Sequence, residues 1–286
     1  MRVPFRLVDV FAEAPFGGNQ LCVVPEVPSG LDTATMQALA LEIGFSETTY
    51  VTAVRPDGYD VRIFTPEDEL PFAGHPTLGT AFALAREGTI GADVVQRCGA
   101  GDVPVRIDVA AGRATMTQLP PVIGNDFDDR EAVAAAAGLD VADLVDGLPI
   151  VPISTGIAHT MVPVRDDDAL RRAVRDDRRC AEVSERIDAE SLYLFTVRGV
   201  GDVRARMFDK GATIGEDPAT GSAGGPLGAY LAMHGLAGMP GTVVIAQGEQ
   251  VGRPSFLHVD VAPDGGSWAI EVGGGVRPMG EGAFEL

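Results

Sequence analysis

A glycine-opened apolar helix is written into this chain twice, each time behind a strand and an acidic loop. RIFTPEDELPFAGHPTLGTAFALAREG begins a strand at Arg62 and turns apolar after Gly74; RMFDKGATIGEDPATGSAGGPLGAYLAMHG does the same from Arg206 and Gly221. An offset of 147 carries Glu69 onto Glu216, Gly74 onto Gly221, His75 onto Ser222, Leu84-Ala85 onto Leu231-Ala232 and Gly88 onto Gly235. The strand starts are 144 apart, so the second loop is three residues longer. Strand, acid, loop, glycine and helix recurring in one order predict a duplicated fold.

The rest of the chain fits two strand-rich halves. Period-two alternation marks strands over 5–11, 20–24, 48–54, 59–65, 103–109 and 114–118 in the first half. It marks 150–154, 159–164, 191–197, 203–208, 243–246 and 256–261 in the second. The AAG between the last two strands of the first half reads as a hairpin turn. DTATMQALALEIG reads as a helix capped by Asp32 and ended by Gly44, with Met36, Leu39, Ala40 and Ile43 on one face. Pro120-Pro121 and the following GNDFDD mark a boundary, after which EAVAAAAGL reads as a short helix. The expected domains are 1–118, with the C-terminal strand 275–286 as a candidate member, and 119–274.

A formal charge of −19 over 286 residues argues against nucleic acid or an anionic membrane as partner, because lysine and arginine must neutralise phosphate. No apolar run reaches the roughly 18 residues of a membrane span. Three scattered cysteines (Cys22, Cys98, Cys180) make neither a disulfide framework nor a zinc knuckle, and MRVPFRLVDVF reads as a strand rather than a leader. The expected compartment is the cytoplasm. The charge also sets a condition: an acidic substrate is repelled by the whole-protein field, so local donors must capture it.

The glycine loops meet that condition. Each delivers a helix N-terminus whose first N–H groups lack intrahelical partners and carry partial positive charge, and glycine lets a ligand approach closely. A carboxylate can be held there without arginine. A Walker loop would need a lysine that neither copy has, and a dinucleotide fingerprint would need GxGxxG. A nucleophile elbow would need glycine where Thr220 stands. A plainer reading is that the glycines let the helices pack closely inside a small barrel.

Among ionisable residues, His75 sits in a first helical turn, where the dipole disfavours its cation; it is otherwise a capping or buried histidine. Asp217 precedes Pro218, four residues before the second helix, and is otherwise a turn former. Glu47 in GFSETTYVT enters a strand expected to be buried, where desolvation raises a carboxyl toward the range of a general base. It is otherwise a surface acid. His159, His234 and His258 stand singly and read as packed or surface residues, and no cluster has metal-ligand spacing. DDREAVAAAAGL and RDDDALRRAVRDDRR read as solvated helix faces.

FGGNQLCVV, SETTYV, FTPEDELPFAGHPTLG, STGIAHTMVPV, GEDPATGSAGG and QGEQVGRPS together resemble the PhzF-like phenazine-biosynthesis isomerase family, of diaminopimelate-epimerase-like fold. They span most of the chain in order. The resemblance implies an α+β protein of two similar domains related by pseudo-two-fold duplication. Each would be a small barrel-like mixed sheet around a central helix, with the active site in the cleft between them. It implies a cofactor-free isomerase, a homodimer, acting on a small carboxylate-bearing, cyclic amino or hydroxy acid of the dihydro-hydroxyanthranilate kind. Glu47 would be the acid/base; His75, Asp217 and Ser222 would hold polar groups of the substrate, and Gly74 and Gly221 would offer backbone donors. The two-thiol chemistry of epimerases of this fold needs cysteines where this chain has Ala73 and Thr220. Where the family often has Gly-Asn-Pro, the chain has Gly18-Asn19-Gln20, which leaves a contact by Asn19 open. A non-catalytic carboxylate-binding protein, or a lyase or hydratase sharing the same proton abstraction, is the alternative.

Overall fold

The computed structural model describes residues 1–211 and 213–286. The chain divides into two compact units, Met1–Gln118 with Gly273–Leu286, and Leu119–Val272. No described helix is long and apolar enough to cross a membrane.

In the first unit, alternating strands close on themselves. Arg2–Val10 pairs antiparallel with Asn19–Val24, which runs parallel to Glu47–Arg55, and that strand pairs antiparallel with Gly58–Phe64. Gly58–Phe64 runs parallel to Asp93–Cys98, and antiparallel hairpins continue through Gly101–Asp108 to Arg113–Thr117. The long strand Ser267–Glu285 pairs with both Arg113–Thr117 and Arg2–Val10 and so completes a ring. Helix Gly74–Arg86 packs against six of these strands and is buried from Gly74 to Leu84. Closing the sheet around a helix leaves the strands no free edge and buries their inward residues against apolar helix surface.

Backbone approach inside the ring is tight. A methyl group at Gly79 would come within 2.6 Å of Leu21 and 2.8 Å of Val10. The close-packing reading therefore holds for this glycine, five residues into the helix rather than at its start. The Thr33–Ile43 helix forms as expected, its N-cap Asp32 accepting from the Thr35 amide at 2.8 Å and Gly44 closing it at φ +66°. It covers Val3, Val24, Tyr50 and Phe64 with Met36, Leu39 and Ala40.

The second unit repeats the order of pairing. Val151–Ser154 and Ala158–Pro163 form a hairpin, Ala158–Pro163 runs parallel to Ser191–Gly199, and that strand pairs antiparallel with Asp202–Asp209. Asp202–Asp209 runs parallel to Gly241–Gln247, which pairs antiparallel with Ser255–Asp264. The buried helix is Gly221–Met233, and Gly228 lies where a methyl group would meet Val259 at 2.8 Å. Outside the sheet, helices Arg130–Ala136, Asp167–Arg172 and Asp177–Ile187 bury Val133, Ala136, Leu170, Cys180 and Val183 with Leu192, Leu194 and Phe208. The charged stretches are thus solvated on one face only; the other face is core.

Of the sheet, sequence periodicity missed Asp93–Cys98 and the first part of Ser267–Glu285, over 267–274; the part from 275 on is the expected C-terminal strand. That first part reads SWAIEVGG, whose closing glycines carry no strand preference. The duplication extends to side chains. Arg62 grips Glu69 with two hydrogen bonds of 2.7 and 2.6 Å, and Arg206 grips Glu216 with two of 2.9 and 2.6 Å.

Candidate active site

Glu47 opens its strand opposite Leu21 of the parallel neighbour, and its side chain is 12% exposed. His75 is the second residue of the central helix of the same unit and is 3% exposed. The structure brings these two together, with His75 Nε2 at 3.2 Å from Glu47 Oε2. The contact lacks the alignment of a full hydrogen bond; catalytic contacts commonly tighten only once a ligand is bound. The opposite ring nitrogen is engaged by Asn19, whose Nδ2 lies 3.2 Å from His75 Nδ1. Burial pushes the His75 pKa down to about 3, with a hydrogen bond to the Gln20 backbone acting the other way. At neutral pH the imidazole is therefore uncharged, as its place at a helix N-terminus requires. Asn19 thus lies against His75.

In the second unit, Gly221 opens the buried helix and Ser222 follows it, as Gly74 and His75 do in the first. Asp217 lies in a two-residue strand opposite Met207 and is 5% exposed. Its Oδ2 accepts from the Thr220 hydroxyl at 2.6 Å. Gln247 fixes this corner, donating from Nε2 to the Asp217 carbonyl at 2.9 Å and to Thr220 Oγ1 at 3.0 Å, while accepting from the Tyr193 hydroxyl at 2.8 Å. Thr220, the N-cap, spends its hydroxyl on Asp217 rather than on its own helix. The nearby Asp209 carboxyl is raised to about 6 by burial first, with the Asp217 charge adding to it.

Ser222 does not meet an acid. Its Oγ lies 2.9 Å from His159 Nε2, and His159 Nδ1 lies 2.8 Å from Ser191 Oγ. All three are buried, and burial pushes His159 down to about 3. His159 is therefore not a lone packing residue. The strand register shows why it sits there: Thr48 pairs with Phe64 and Tyr50 with Arg62, as Leu192 pairs with Phe208 and Leu194 with Arg206. Ser191 thus takes the strand position of Glu47, and Ser222 the helix position of His75. His159, in the place that Leu21 holds in the first unit, spans two short serine side chains. The 144-residue strand offset was available in the sequence and could have drawn attention to Ser191; nothing in the sequence placed a histidine between the serines.

Among the described residues, no three His, Cys, Asp or Glu side chains converge as metal ligands. Cys22 and Cys180 are buried, their thiols raised to about 12 and about 11 by desolvation, and neither lies at a helix start.

A family profile described as phenazine biosynthesis-like protein matches residues 8–280. A trans-2,3-dihydro-3-hydroxyanthranilate isomerase of Pseudomonas aeruginosa is 34% identical over 287 residues, covering 99% of each chain. The solved structure of a Bacillus anthracis phenazine biosynthesis protein of the PhzF family superposes with a TM-score of 0.89 at 27% identity, over 100% of both chains. A probable proline racemase from Agrobacterium radiobacter shares the fold alone, with a TM-score of 0.71 at 13% identity over 99% of this chain and 93% of that one.

Proposed function

The chain belongs to the phenazine biosynthesis-like family of isomerases, and on that premise we propose that Glu47 moves a proton between two carbons of a small, cyclic, carboxylate-bearing amino or hydroxy acid. The Glu47–His75 contact at 3.2 Å carries this reading. A carboxyl held at a strand start beside a neutral imidazole can take a proton from an allylic carbon as that C–H bond breaks. The electron pair enters the conjugated system, the double bond shifts, and the same carboxyl returns the proton to another carbon. Nothing is added or lost, so substrate and product have one mass. Within the first unit the backbone at Gly74 offers a donor to a carboxylate; within the second, Asp217 and Ser222 are suited to hold polar groups of a ligand and Gly221 to offer a backbone donor. Such donors answer the repulsion expected from a net charge of −19.

The test uses trans-2,3-dihydro-3-hydroxyanthranilate, the compound named for the Pseudomonas relative. Wild type is expected to convert it to a product of unchanged mass. Glu47→Gln should lose on the order of 10²–10⁴-fold in kcat, the contribution of a positioned acid/base, while calorimetry still detects binding. Full activity in that variant overturns the assignment. A product lighter by water makes the enzyme a lyase, and tight binding with unchanged ligand makes the protein a binder.

A further inference from the structure

The Ser191–His159–Ser222 chain is a buried polar device that the proton transfer by Glu47 does not use. Neutral imidazole carries one N–H, and a serine hydroxyl both donates and accepts. Two arrangements of the same atoms therefore satisfy every contact. In one, His159 Nε2–H donates to Ser222 Oγ and the Ser191 hydroxyl donates to Nδ1; the Ser222 hydrogen is then free for a ligand acceptor. In the other, the Ser222 hydroxyl donates to Nε2 and Nδ1–H donates to Ser191 Oγ; Ser222 then presents lone pairs to a ligand donor. The two differ only in the position of one ring hydrogen and the rotation of two hydroxyls.

We propose that His159 and Ser191 are positioning residues that set the hydrogen-bonding polarity of Ser222, so that it serves as donor to a carboxylate or carbonyl and as acceptor from an amine or hydroxyl. The proposal rests on reading Ser222 as a substrate contact. Three observations carry it. Both ring nitrogens have hydroxyl partners, at 2.8 and 2.9 Å, and neither has a charged partner that would select one tautomer. Ser191 and Ser222 are 0% and 7% exposed, so bulk water does not supply the alternative partners. The two serines also occupy the strand-start and helix-start positions that in the first unit hold Glu47 and His75. The duplicated scaffold thus keeps a carboxyl–imidazole contact in one copy and a reversible hydroxyl–imidazole–hydroxyl chain in the other.

The experiment is nitrogen NMR of histidine-labelled full-length protein at neutral pH, the His159 signals being those lost in His159→Gln. Ser191→Ala removes the partner of Nδ1, and a buried bare lone pair costs less than a buried unpaired N–H, so this variant should hold the hydrogen on Nε2. Ser222→Ala should hold it on Nδ1 by the same reasoning. Wild-type shifts lying between those of the two variants support the proposal, as does their recovery in Ser191→Thr; wild-type shifts coinciding with either alanine variant overturn it. Kinetics on trans-2,3-dihydro-3-hydroxyanthranilate supply the second arm. Ser191→Ala should lose about fivefold to tenfold in kcat/KM, the scale of one buried hydrogen bond, and Ser191→Thr should regain it. Wild-type kinetics in Ser191→Ala alongside an inactive Glu47→Gln would remove the relay and leave the acid assignment standing. If wild type does not turn the compound over, the functional reading fails while the nitrogen spectra still decide the relay.

Discussion

His75 Nε2 approaches Glu47 Oε2 to 3.2 Å, while Asn19 engages the opposite ring nitrogen at 3.2 Å. The imidazole is thereby held edge-on to the acid. His75→Gln is expected to lower kcat about 10²-fold with a smaller change in KM, because the group orients the acid more than it binds the ligand. The double variant with Glu47→Gln should be no slower than Glu47→Gln alone, since residues acting as a unit are not additive. Steady-state kinetics check this; multiplicative losses would mean that the two act separately.

Acid should weaken the fold above the range where ordinary carboxylates titrate. His75 and His159 are pushed down to about 3 in the folded state by burial, against roughly 6.5 unfolded. Below pH 6.5 the unfolded chain binds the protons that the folded chain refuses, so each histidine lowers stability as pH falls. The slope is about 1.4 kcal/mol per pH unit for each. Asp209 opposes them: its folded pKa is raised to about 6, so it gains relative stability as pH drops below that value. The two histidines together lose about 3 kcal/mol from pH 6.5 to pH 5 and Asp209 returns about 1 kcal/mol, so the net loss is about 2 kcal/mol. Urea unfolding at the two pH values measures it, and Asp209→Asn should steepen the loss.

One motif in two settings should carry two energies. Arg206 and Glu216 have side chains only 7% and 14% exposed, and Arg206 also donates to the Leu170 and Ala173 carbonyls at 2.9 and 2.6 Å. Arg62 and Glu69, the matching pair, are 30% and 41% exposed. Glu216→Gln leaves a buried guanidinium without its counter-charge and should cost about 3 kcal/mol or more. Glu69→Gln should cost less than about 1 kcal/mol. Comparing the two denaturation midpoints tests this, and equal costs would contradict it.

The second buried helix should tolerate a methyl group at one glycine and not at another. At Gly228 it would meet Val259 and Val261 at 2.8 and 2.9 Å; at Gly224 the nearest atom is Leu257 Cδ2 at 3.2 Å, the end of a flexible chain. Gly228→Ala is expected to cost about 1–3 kcal/mol by overpacking. Gly224→Ala should cost less, because Leu257 can yield and alanine is the better helix former. Thermal melts of the two variants decide the order.

Much of this was legible in the chain itself. Alternation located the paired strands because one face of each is buried, and the residue types at the helix ends fixed Asp32 as a cap and Gly44 as a stop. The 147-residue repeat set the two helix starts in register, with Gly74 and His75 answering to Gly221 and Ser222. Local chemistry determines such features, since a cap, a turn or a periodic face depends on neighbours within a few positions. The final strand is expected only over 275–286; its first part, ending in Gly273-Gly274, escaped for the converse reason, since glycine has no preference to read, and the pairing with Arg2–Val10 comes from the opposite end of the chain.

Partners distant in sequence were decided by the tertiary structure alone. Glu47 meets His75 because the sheet wraps around the central helix and sets a strand start beside the helix's first turn. His159 joins Ser222 and Ser191 because strand register places a ring where two short side chains leave a gap. Its neutral charge follows from the burial that this packing imposes. Which residue types stand at the two helix ends is read directly from the chain. Only the closing of sheets around those helices decided that one copy would present an acid beside an imidazole, and the other an imidazole between hydroxyls.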